Sequence, residues 1–290
     1  MKRYKVILSL VLVLVLMITG TAFGAVKEGI TYTALGDSIA YGTGAEDDYG
    51  YTEMLNDHFT RIYGEGIFNK DAADGITSGD LVNWLPVVQQ HVVDADVITI
   101  SIGGNDLLKP FQDLLSQFLM ANYEYLNYSK FMEDFTAWQN GDLGDLILKA
   151  KFDKLFYFDL PTAFTTGAYN FSLNFPTIMD SIGMMNLDAE IYVNTIYNPF
   201  TTDPMLHDFA ELFIPAMNEM IIDYSQVYDY KVVDVYTKFE KYNNPKKLAV
   251  GDLSNIVEFM LDPENTTPVP LHPTDRGYKF IFNLHKDLLE

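Results

Sequence analysis

Short runs rich in valine and isoleucine alternate along this chain with longer segments whose apolar residues recur at helical spacing. The runs at residues 96–102 and 190–196 have the composition of parallel strands that are covered on both faces. Strands are predicted at residues 30–35, 67–70, 96–102, 190–196 and 230–235. Strands that alternate with helices indicate an α/β fold, with a parallel sheet of about five strands and helices on both of its faces.

Helices are predicted between these strands at residues 51–63, 78–90 and 206–224, and a further helix ends the chain. One face of the third helix groups the apolar residues Phe209, Leu212, Phe213, Ala216 and Met220. The last helix groups Tyr278, Ile281, Phe282 and Leu289, and His285 on this face is interpreted as a core or boundary residue. No linker and no internal repeat divides the chain, so residues 25–290 are predicted to form a single domain.

The segment at about 107–187 is much longer than the single crossover helix that a parallel sheet requires. It is dense in phenylalanine, tyrosine, leucine and methionine. One interpretation is a helical insertion that packs on the sheet. The other is that some of its aromatic residues form a cap or cleft wall for an apolar group, with the candidates Tyr123, Tyr125, Tyr128, Phe131 and Trp138.

The first 24 residues have the pattern of a secretory signal peptide. Three basic residues precede an apolar run at residues 6–18, and Ala22 and Gly24 supply the small side chains that a signal peptidase needs before a cut at Ala25. The protein is therefore expected to be secreted, with no stable membrane anchor after cleavage. The alternative is an uncleaved membrane anchor, although the apolar run is short for the ~20 residues that span a bilayer.

Charge and cysteine content exclude several classes of function. The 290 residues carry 19 Lys+Arg against 40 Asp+Glu, which gives a formal net charge of −21, and loss of the three basic residues of the signal would take it to −24. Such an acidic chain is a poor partner for nucleic acid. With no cysteine, it has no disulfide, zinc-thiolate site or cysteine nucleophile.

Polar residues follow the first three predicted strands, at the edge where open α/β sheets bind ligands. Ser38, in the run Gly36-Asp37-Ser38, is a candidate nucleophile, although Gly-Asp-Ser is also a common turn composition. Asn105, in Gly103-Gly104-Asn105-Asp106, can donate its amide to an oxyanion or cap a helix. Gly75 would let a backbone N–H approach a ligand.

Near the C-terminus, His272 precedes the last helix and is a candidate general base toward Ser38, or a loop histidine with no catalytic role. The other histidines lack metal-ligand spacing, and the sequence contains no metal-binding signature, so neither a metal nor a cofactor is predicted.

Together, Gly36-Asp37-Ser38, Gly75, Gly103-Gly104-Asn105-Asp106 and His272-Pro273 resemble the motifs of the SGNH hydrolase family, also called GDSL esterases and lipases. The run at residues 194–199 is similar to the bacterial extracellular branch. The resemblance implies a three-layer flavodoxin-like fold and ester hydrolysis through an acyl-serine. It also implies that Ser38 is the nucleophile and His272 the base, with Gly75, Asn105 and the Ser38 backbone N–H as oxyanion donors. Asp37 and Asp106 would be structural partners that shape the motif loops.

The sequence departs from the family pattern at one position. The family's aspartate stands three residues before the histidine, where this chain has Val269, which cannot orient an imidazole. A backbone carbonyl of the same loop could orient His272, a carboxylate such as Asp262 or Glu264 could reach it, or the enzyme is impaired. The hypothesis favoured here is a working dyad.

Three functions stay open on the sequence alone. The first is a secreted serine esterase or lipase that acts on a small-molecule or polymer-borne ester. The second is an acyltransferase that uses the same serine and histidine. The third is a noncatalytic surface or carbohydrate-binding protein that retains the fold.

Overall fold

A five-stranded sheet forms the centre of the fold, and its strands all run in parallel. The computed structural model describes residues 29–123, 127–261 and 270–289. The strands are β1 Thr31–Gly36, β2 Ile67–Ala72, β3 Val97–Ser101, β4 Glu190–Asn194 and β5 Lys231–Val233. Their order across the sheet is β2-β1-β3-β4-β5, and Leu35 pairs with Asp71 on one side and with Ile100 on the other. The predicted α/β class and the five parallel strands are confirmed.

Helices connect the strands and cover both faces of the sheet. They are α1 Ser38–Tyr41, α2 Tyr51–Tyr63, α3 Ser78–Trp84, α4 Gln89–Val93, α5 Gly104–Asn122, α6 Tyr128–Gln139, α7 Leu146–Lys154, α8 Leu160–Met185, α9 Pro204–Ala210, α10 Ile214–Tyr228, α11 Val235–Glu240, α12 Leu253–Leu261 and α13 Asp275–Leu289. Short 3₁₀ turns lie at Glu46–Asp48 and Pro245–Lys247, and a π-helical segment at Leu155–Asp159 joins α7 to α8.

Alternate residues of the strands enter two separate apolar cores. Leu35, Ile98 and Ile100 belong to a core that α3, α5, α8 and α10 cover, whereas Ala34 and Val97 belong to a second core under α2, α11 and α13. Because successive side chains of a strand point to opposite faces, the two cores lie on opposite sides of the sheet. The molecule therefore has three layers, as the resemblance implies.

Two of the predicted helices are broken, and a proline explains each break. The segment at 78–90 divides into α3 and α4 around Pro86, and the segment at 206–224 divides into α9 and α10, with Pro215 in the first turn of α10. Proline has no N–H to donate and its ring crowds the preceding turn, so it favours a helix break or a first-turn position, although α5 and α8 continue through Pro110 and Pro176. The break rotates the predicted apolar face, and Leu212 and Ala216 are exposed, contrary to the prediction.

Between β3 and β4, the described residues 104–123 and 127–185 form four α-helices and the π-helical segment. Phe131 and Trp138 on α6 and Tyr123 after α5 are buried. Tyr123 packs against Phe131, and both Phe131 and Trp138 pack against Phe152 of α7. They belong to the same apolar core as Leu35, Ile98 and Ile100 of the strands, which supports the interpretation as helices packed on the sheet. Tyr125 lies outside the described residues.

Candidate active site

The turn after β1 is held against the end of β3. A Cβ on Gly36 would lie 1.9 Å from the Ser101 carbonyl oxygen, and Gly36 has a φ of +138°, so only glycine can bring the two strands this close. One residue later, the Asp37 N–H donates to the same Ser101 oxygen at 2.9 Å. These contacts fix the position from which Ser38 begins α1.

The Asp37 side chain caps α1 and ties it to β3. Its Oδ1 accepts from the Ile39 N–H at 3.0 Å and from the Ser101 hydroxyl at 3.1 Å. Burial raises the pKa of Asp37 to about 7, although these hydrogen bonds lower it. Asp37 is therefore a structural partner of the turn, as the resemblance implies.

Ser38 and His272 form a hydrogen-bonded pair at the carboxyl edge of the sheet. The distance from His272 Nε2 to Ser38 Oγ is 2.9 Å, although the two residues are 234 positions apart in the chain. Ser38 is 6% exposed and His272 is partly buried. The structure thus brings together the two residues that the sequence singled out as nucleophile and base.

A backbone carbonyl contacts the imidazole nitrogen of His272 that faces away from Ser38. His272 Nδ1 lies 2.9 Å from the Pro270 carbonyl oxygen. Because a carbonyl can only accept, Nδ1 carries the proton and the lone pair of Nε2 faces the Ser38 hydroxyl. Burial lowers the pKa of His272 below 6.5, whereas the Pro270 carbonyl and the charge of Asp74 raise it. Asp262, Glu264 and Val269 lie outside the described residues.

The loop that carries His272 is fixed from several sides. Leu271 has a φ of +68°, a left-handed conformation that is uncommon for a branched residue, and it is buried. Its N–H donates to the Val250 carbonyl at 2.8 Å, and its carbonyl accepts from the Tyr197 hydroxyl at 2.6 Å. Such strain persists only where the surrounding structure holds it, and here it sets the approach of His272 to Ser38. No pattern in the sequence indicated the role of Leu271 or Tyr197.

Asn105 lies in the first turn of α5, on the wall of the cavity that contains Ser38. Its amide donates one hydrogen to the Ile76 carbonyl at 3.0 Å, and an amide group has a second hydrogen to donate. Asn105 is not the cap of α5, since Gly103 occupies that position. Gly75 lies on the exposed turn between β2 and α3 with a φ of +72°, and it is not among the residues that line the cavity.

Asp106 joins α5 to two other helices just behind this site. Its carboxylate accepts from the Ser78 N–H at 2.9 Å and from the Ser78 hydroxyl at 2.6 Å, and Asn174 of α8 donates to the same hydroxyl at 3.0 Å. Burial raises the pKa of Asp106, although the hydrogen bonds from Ser78 lower it. Asp106 thus holds the turn after β2 and the turn after β3 in one arrangement.

A mostly apolar cavity of about 80 Å³ opens beside Ser38 and His272. Its buried wall comes from α5, α8, α9, α10 and the loop after β4, and includes Leu107, Phe164, Phe200, Ala210 and Ile214. None of the aromatic residues proposed for a cleft wall lines it among the described residues. Phe164 and Phe200 do so instead, because the fold, and not aromatic density along the chain, decides which rings face the site.

Within the described residues, one group of three side chains has the composition of a metal site. Ligand atoms of His207, Glu211 and Glu240 lie within 4.8 Å of one another. Both oxygens of Glu211 already accept hydrogen bonds, one from Asn198 at 2.7 Å and one from Tyr236 at 2.5 Å. The carboxylate is therefore satisfied without a metal. No spacing in the sequence indicated the group, because Glu240 lies on another helix.

A hydrogen-bonded serine and histidine at the carboxyl edge of an open parallel sheet are typical of a serine hydrolase. The chain matches the GDSL-like Lipase/Acylhydrolase family over residues 34–280. It belongs to this family, and it is accordingly a hydrolase of the class that acts on esters. The resemblance drawn from the motifs is confirmed.

One relative in sequence and two solved structures of similar fold can be compared with this chain. The uncharacterized protein YpmR of Bacillus subtilis (strain 168) is 24% identical over 260 residues, which cover 88% of this chain and 79% of that protein. A phospholipase A1 from Streptomyces albidoflavus superposes with a TM-score of 0.58 at 13% identity, covering 89% of this chain and 99% of the other. An extracellular lipase from Streptomyces rimosus gives 0.57 at 15% identity, covering 88% and 98%. At these identities the solved structures show the fold.

None of the helices in the described residues is long and apolar enough to cross a membrane.

Proposed function

We propose that this protein is a secreted serine esterase that hydrolyses carboxylic esters through an acyl-Ser38 intermediate. The observation that carries the proposal is the 2.9 Å contact between Ser38 Oγ and His272 Nε2, with Nδ1 held by the Pro270 carbonyl. This geometry leaves an unprotonated nitrogen beside the serine hydroxyl, which is what a general base needs.

In the first half of the reaction, Ser38 Oγ forms a bond to the ester carbonyl carbon while its proton passes to His272 Nε2. The carbonyl electron pair moves to oxygen, where the Ser38 N–H, the Gly75 N–H and the Asn105 amide are proposed to stabilise the negative charge. The tetrahedral intermediate then collapses, the carbon–oxygen bond to the alcohol breaks, and Nε2 returns its proton to the leaving oxygen. The acyl group remains on Ser38.

In the second half, a water molecule gives a proton to His272 Nε2 and bonds to the acyl carbon. Collapse releases the carboxylic acid, and the proton returns to Ser38 Oγ. Throughout the cycle, the His272 ring keeps its Nδ1 proton and donates it in a hydrogen bond to the Pro270 carbonyl. A neutral carbonyl selects the tautomer, but it stabilises the imidazolium less than a carboxylate does.

Labelling with a fluorophosphonate tests the proposal directly. The wild type should label at Ser38, and Ser38→Ala should abolish the labelling. Ser172→Ala is a matched control, because this serine hydroxyl lies on α8 and bonds to the carbonyl of Tyr169 in its own helix. A folded wild type that neither labels nor cleaves any ester would contradict the enzyme proposal and favour a noncatalytic protein.

The dyad itself has a separate test. If the Pro270 carbonyl orients His272, the double change of Asp262→Asn and Glu264→Gln leaves kcat within about twofold of the wild type. A loss of tenfold or more would show that one of these carboxylates supports the histidine.

Secretion is proposed from the pattern of the first 24 residues, together with the extracellular lipase among the proteins of similar fold. Expression of the full chain in a secreting host, followed by N-terminal sequencing of the protein in the medium, tests it. A mature protein that begins near Ala25 is expected, whereas protein that stays in the membrane fraction with residue 1 intact would refute cleavage.

A further inference from the structure

The cavity beside Ser38 is closed at its inner end. Leu107, Phe164, Phe200, Ala210 and Ile214 line it and are each at most 3% exposed. The lining residues that are partly exposed lie toward solvent and include Ile39, Leu108, Gln112 and His272. The cavity is therefore a blind pocket, with the Ser38–His272 pair near its open side.

The acyl group and the alcohol of an ester have different requirements at this pocket. The acyl group stays bonded to Ser38 between the two halves of the proposed reaction, whereas the alcohol must leave and water must enter. His272 protonates the departing alcohol, and its ring is among the partly exposed residues of the lining. A closed apolar pocket suits the group that stays, and the solvent side suits the group that leaves. The acyl chain is thus the occupant that the pocket can hold.

The size of the pocket limits the length of that chain. A water-sized group needs roughly 10–15 Å³ of such space, so about 80 Å³ accepts on the order of five to eight groups of this size. A methylene group is close to water in size. An acetyl group would leave most of the pocket empty, and a chain of 16 carbons would have to extend outside it.

We propose that this cavity is an acyl-chain site that makes the protein selective for esters of unbranched acids of about six to eight carbons. The inference rests on the proposed function and specifies its substrate class. Ala210 ends α9 and Ile214 begins α10, so both belong to covering helices and not to the strand-end loops that carry the nucleophile. Their side chains set the depth of the pocket.

A series of p-nitrophenyl esters from acetate to palmitate tests the selectivity. Each added methylene that is buried should raise kcat/KM up to about fourfold, so the wild type should rise from acetate to hexanoate or octanoate and fall beyond decanoate. Ala210→Met fills the pocket and should lower the ratio of octanoate to acetate kcat/KM at least tenfold. Ile214→Ala deepens the pocket and should move the optimum to longer esters.

Ala137→Met is the matched control, because Ala137 is partly buried on α6 and does not line the cavity. This variant should keep the wild-type profile of chain lengths. Thermal unfolding of each variant shows whether it is folded. The inference would be overturned if the wild type prefers acetate, or if the variants at 210 and 214 change kcat/KM by the same factor for all esters.

A binding measurement separates this inference from the proposed function. In the Ser38→Ala variant, which cannot form an acyl-enzyme, calorimetry should show octanoate binding at least tenfold more tightly than acetate, and Ala210→Met should remove the difference. If Ser38 labels with a fluorophosphonate but octanoate binds no better than acetate, the acyl-chain site is refuted and the esterase proposal stands. If Ser38 does not label but octanoate binds selectively, the esterase proposal fails and the site stands.

Discussion

His285 and Asp37 are both buried, and they should make stability depend on pH in opposite directions. His285, on α13, is 1% exposed, and its Nε2 lies 2.8 Å from Asn194 Oδ1. Its ring stacks on Tyr51 with centroids 4.9 Å apart, and its Nδ1 has no hydrogen-bond partner among the described residues. A proton on Nδ1 would therefore be buried and unpaired, and burial lowers the pKa of His285 to about 3.

Whether His285 raises or lowers stability on acidification depends on whether the folded or the unfolded state binds its proton at the higher pH. Between pH 6.5 and about 3, the unfolded chain protonates this histidine while the folded protein keeps it neutral. The contribution of neutral His285 to the free energy of unfolding is therefore fully present above pH 6.5 and declines as the pH falls toward 3. Going from about pH 7.5 to about pH 4.5 spans roughly two pKa units below 6.5, which costs about 3 kcal/mol at about 1.4 kcal/mol per unit.

Asp37 acts in the opposite sense. Its folded pKa is about 7, whereas the ordinary value is 3.8, so the folded protein holds a proton that the unfolded chain has already released. The stability that this proton contributes is complete below pH 3.8 and is lost as the pH rises through 7. Over the same interval from about pH 7.5 to about pH 4.5, Asp37 adds about 3 kcal/mol on acidification. The two effects nearly cancel in the wild type, so only variants can separate them.

Urea unfolding of the wild type, His285→Gln and Asp37→Asn at three pH values measures both effects. Each substitution also changes the free energy of unfolding by an amount that does not depend on pH, and this amount is measured at pH 7.5. The further change in the variant's stability relative to the wild type at lower pH then reports the titration alone. The His285→Gln variant should gain about 3 kcal/mol on the wild type between pH 7.5 and 4.5, and Asp37→Asn should fall behind by a similar amount. Differences that stay constant within about 0.5 kcal/mol would refute the assignment of these shifts to burial.

Three further predictions concern the oxyanion donor, the pH dependence of the rate and the packing of α8. Asn105→Ala should lower kcat by ~10²–10³ if its second amide hydrogen serves the oxyanion, and a loss below tenfold would count against that role. Since burial holds the pKa of His272 below 6.5, kcat/KM should stay level down to that pH and fall only at lower values; a pH–rate profile that falls off above pH 7 would contradict this. Gly167→Ala would place a Cβ 2.0 Å from the Asp106 carbonyl oxygen and should cost about 1–3 kcal/mol or more, seen as a lower Tm, whereas Gly183→Ala on the same helix meets nothing within 4 Å and should be neutral or stabilising.

The sequence was informative wherever a local pattern determines structure. All five strands were predicted to within a few residues, and the runs at 96–102 and 190–196 were the clearest, because valine and isoleucine fit buried parallel strands. The helix at Tyr51–Tyr63 was predicted at its observed bounds. The continuous helices through Pro86 and Pro215 were wrong, because periodicity was given more weight than a residue that disfavours the helix interior.

The pocket could not be read from the chain in the same way. Ser38 and Asn105 follow strands, so the parallel sheet alone places them at one edge. Phe164, Phe200 and Ala210 come from three separate segments between residues 160 and 210, and their meeting depends on how α8 and α9 cross the sheet. Aromatic density drew attention to Tyr123, Phe131 and Trp138, which are also buried but do not line the cavity. Composition predicts which residues are buried, but only the packing of the helices determines which buried residues line the cavity.

Valine at position 269, in place of the family's aspartate, should affect the pKa of His272. A carboxylate beside His272 would favour the imidazolium and raise its pKa, whereas a neutral carbonyl supplies the hydrogen bond to Nδ1 without the negative charge. Burial then dominates, and the histidine stays neutral at lower pH than a charged partner would allow. The same substitution that weakens stabilisation of the imidazolium therefore extends the range in which the base is ready to accept the Ser38 proton. We expect a hydrolase of this design to have a lower maximal rate but a broader acidic range than one with an aspartate at that position.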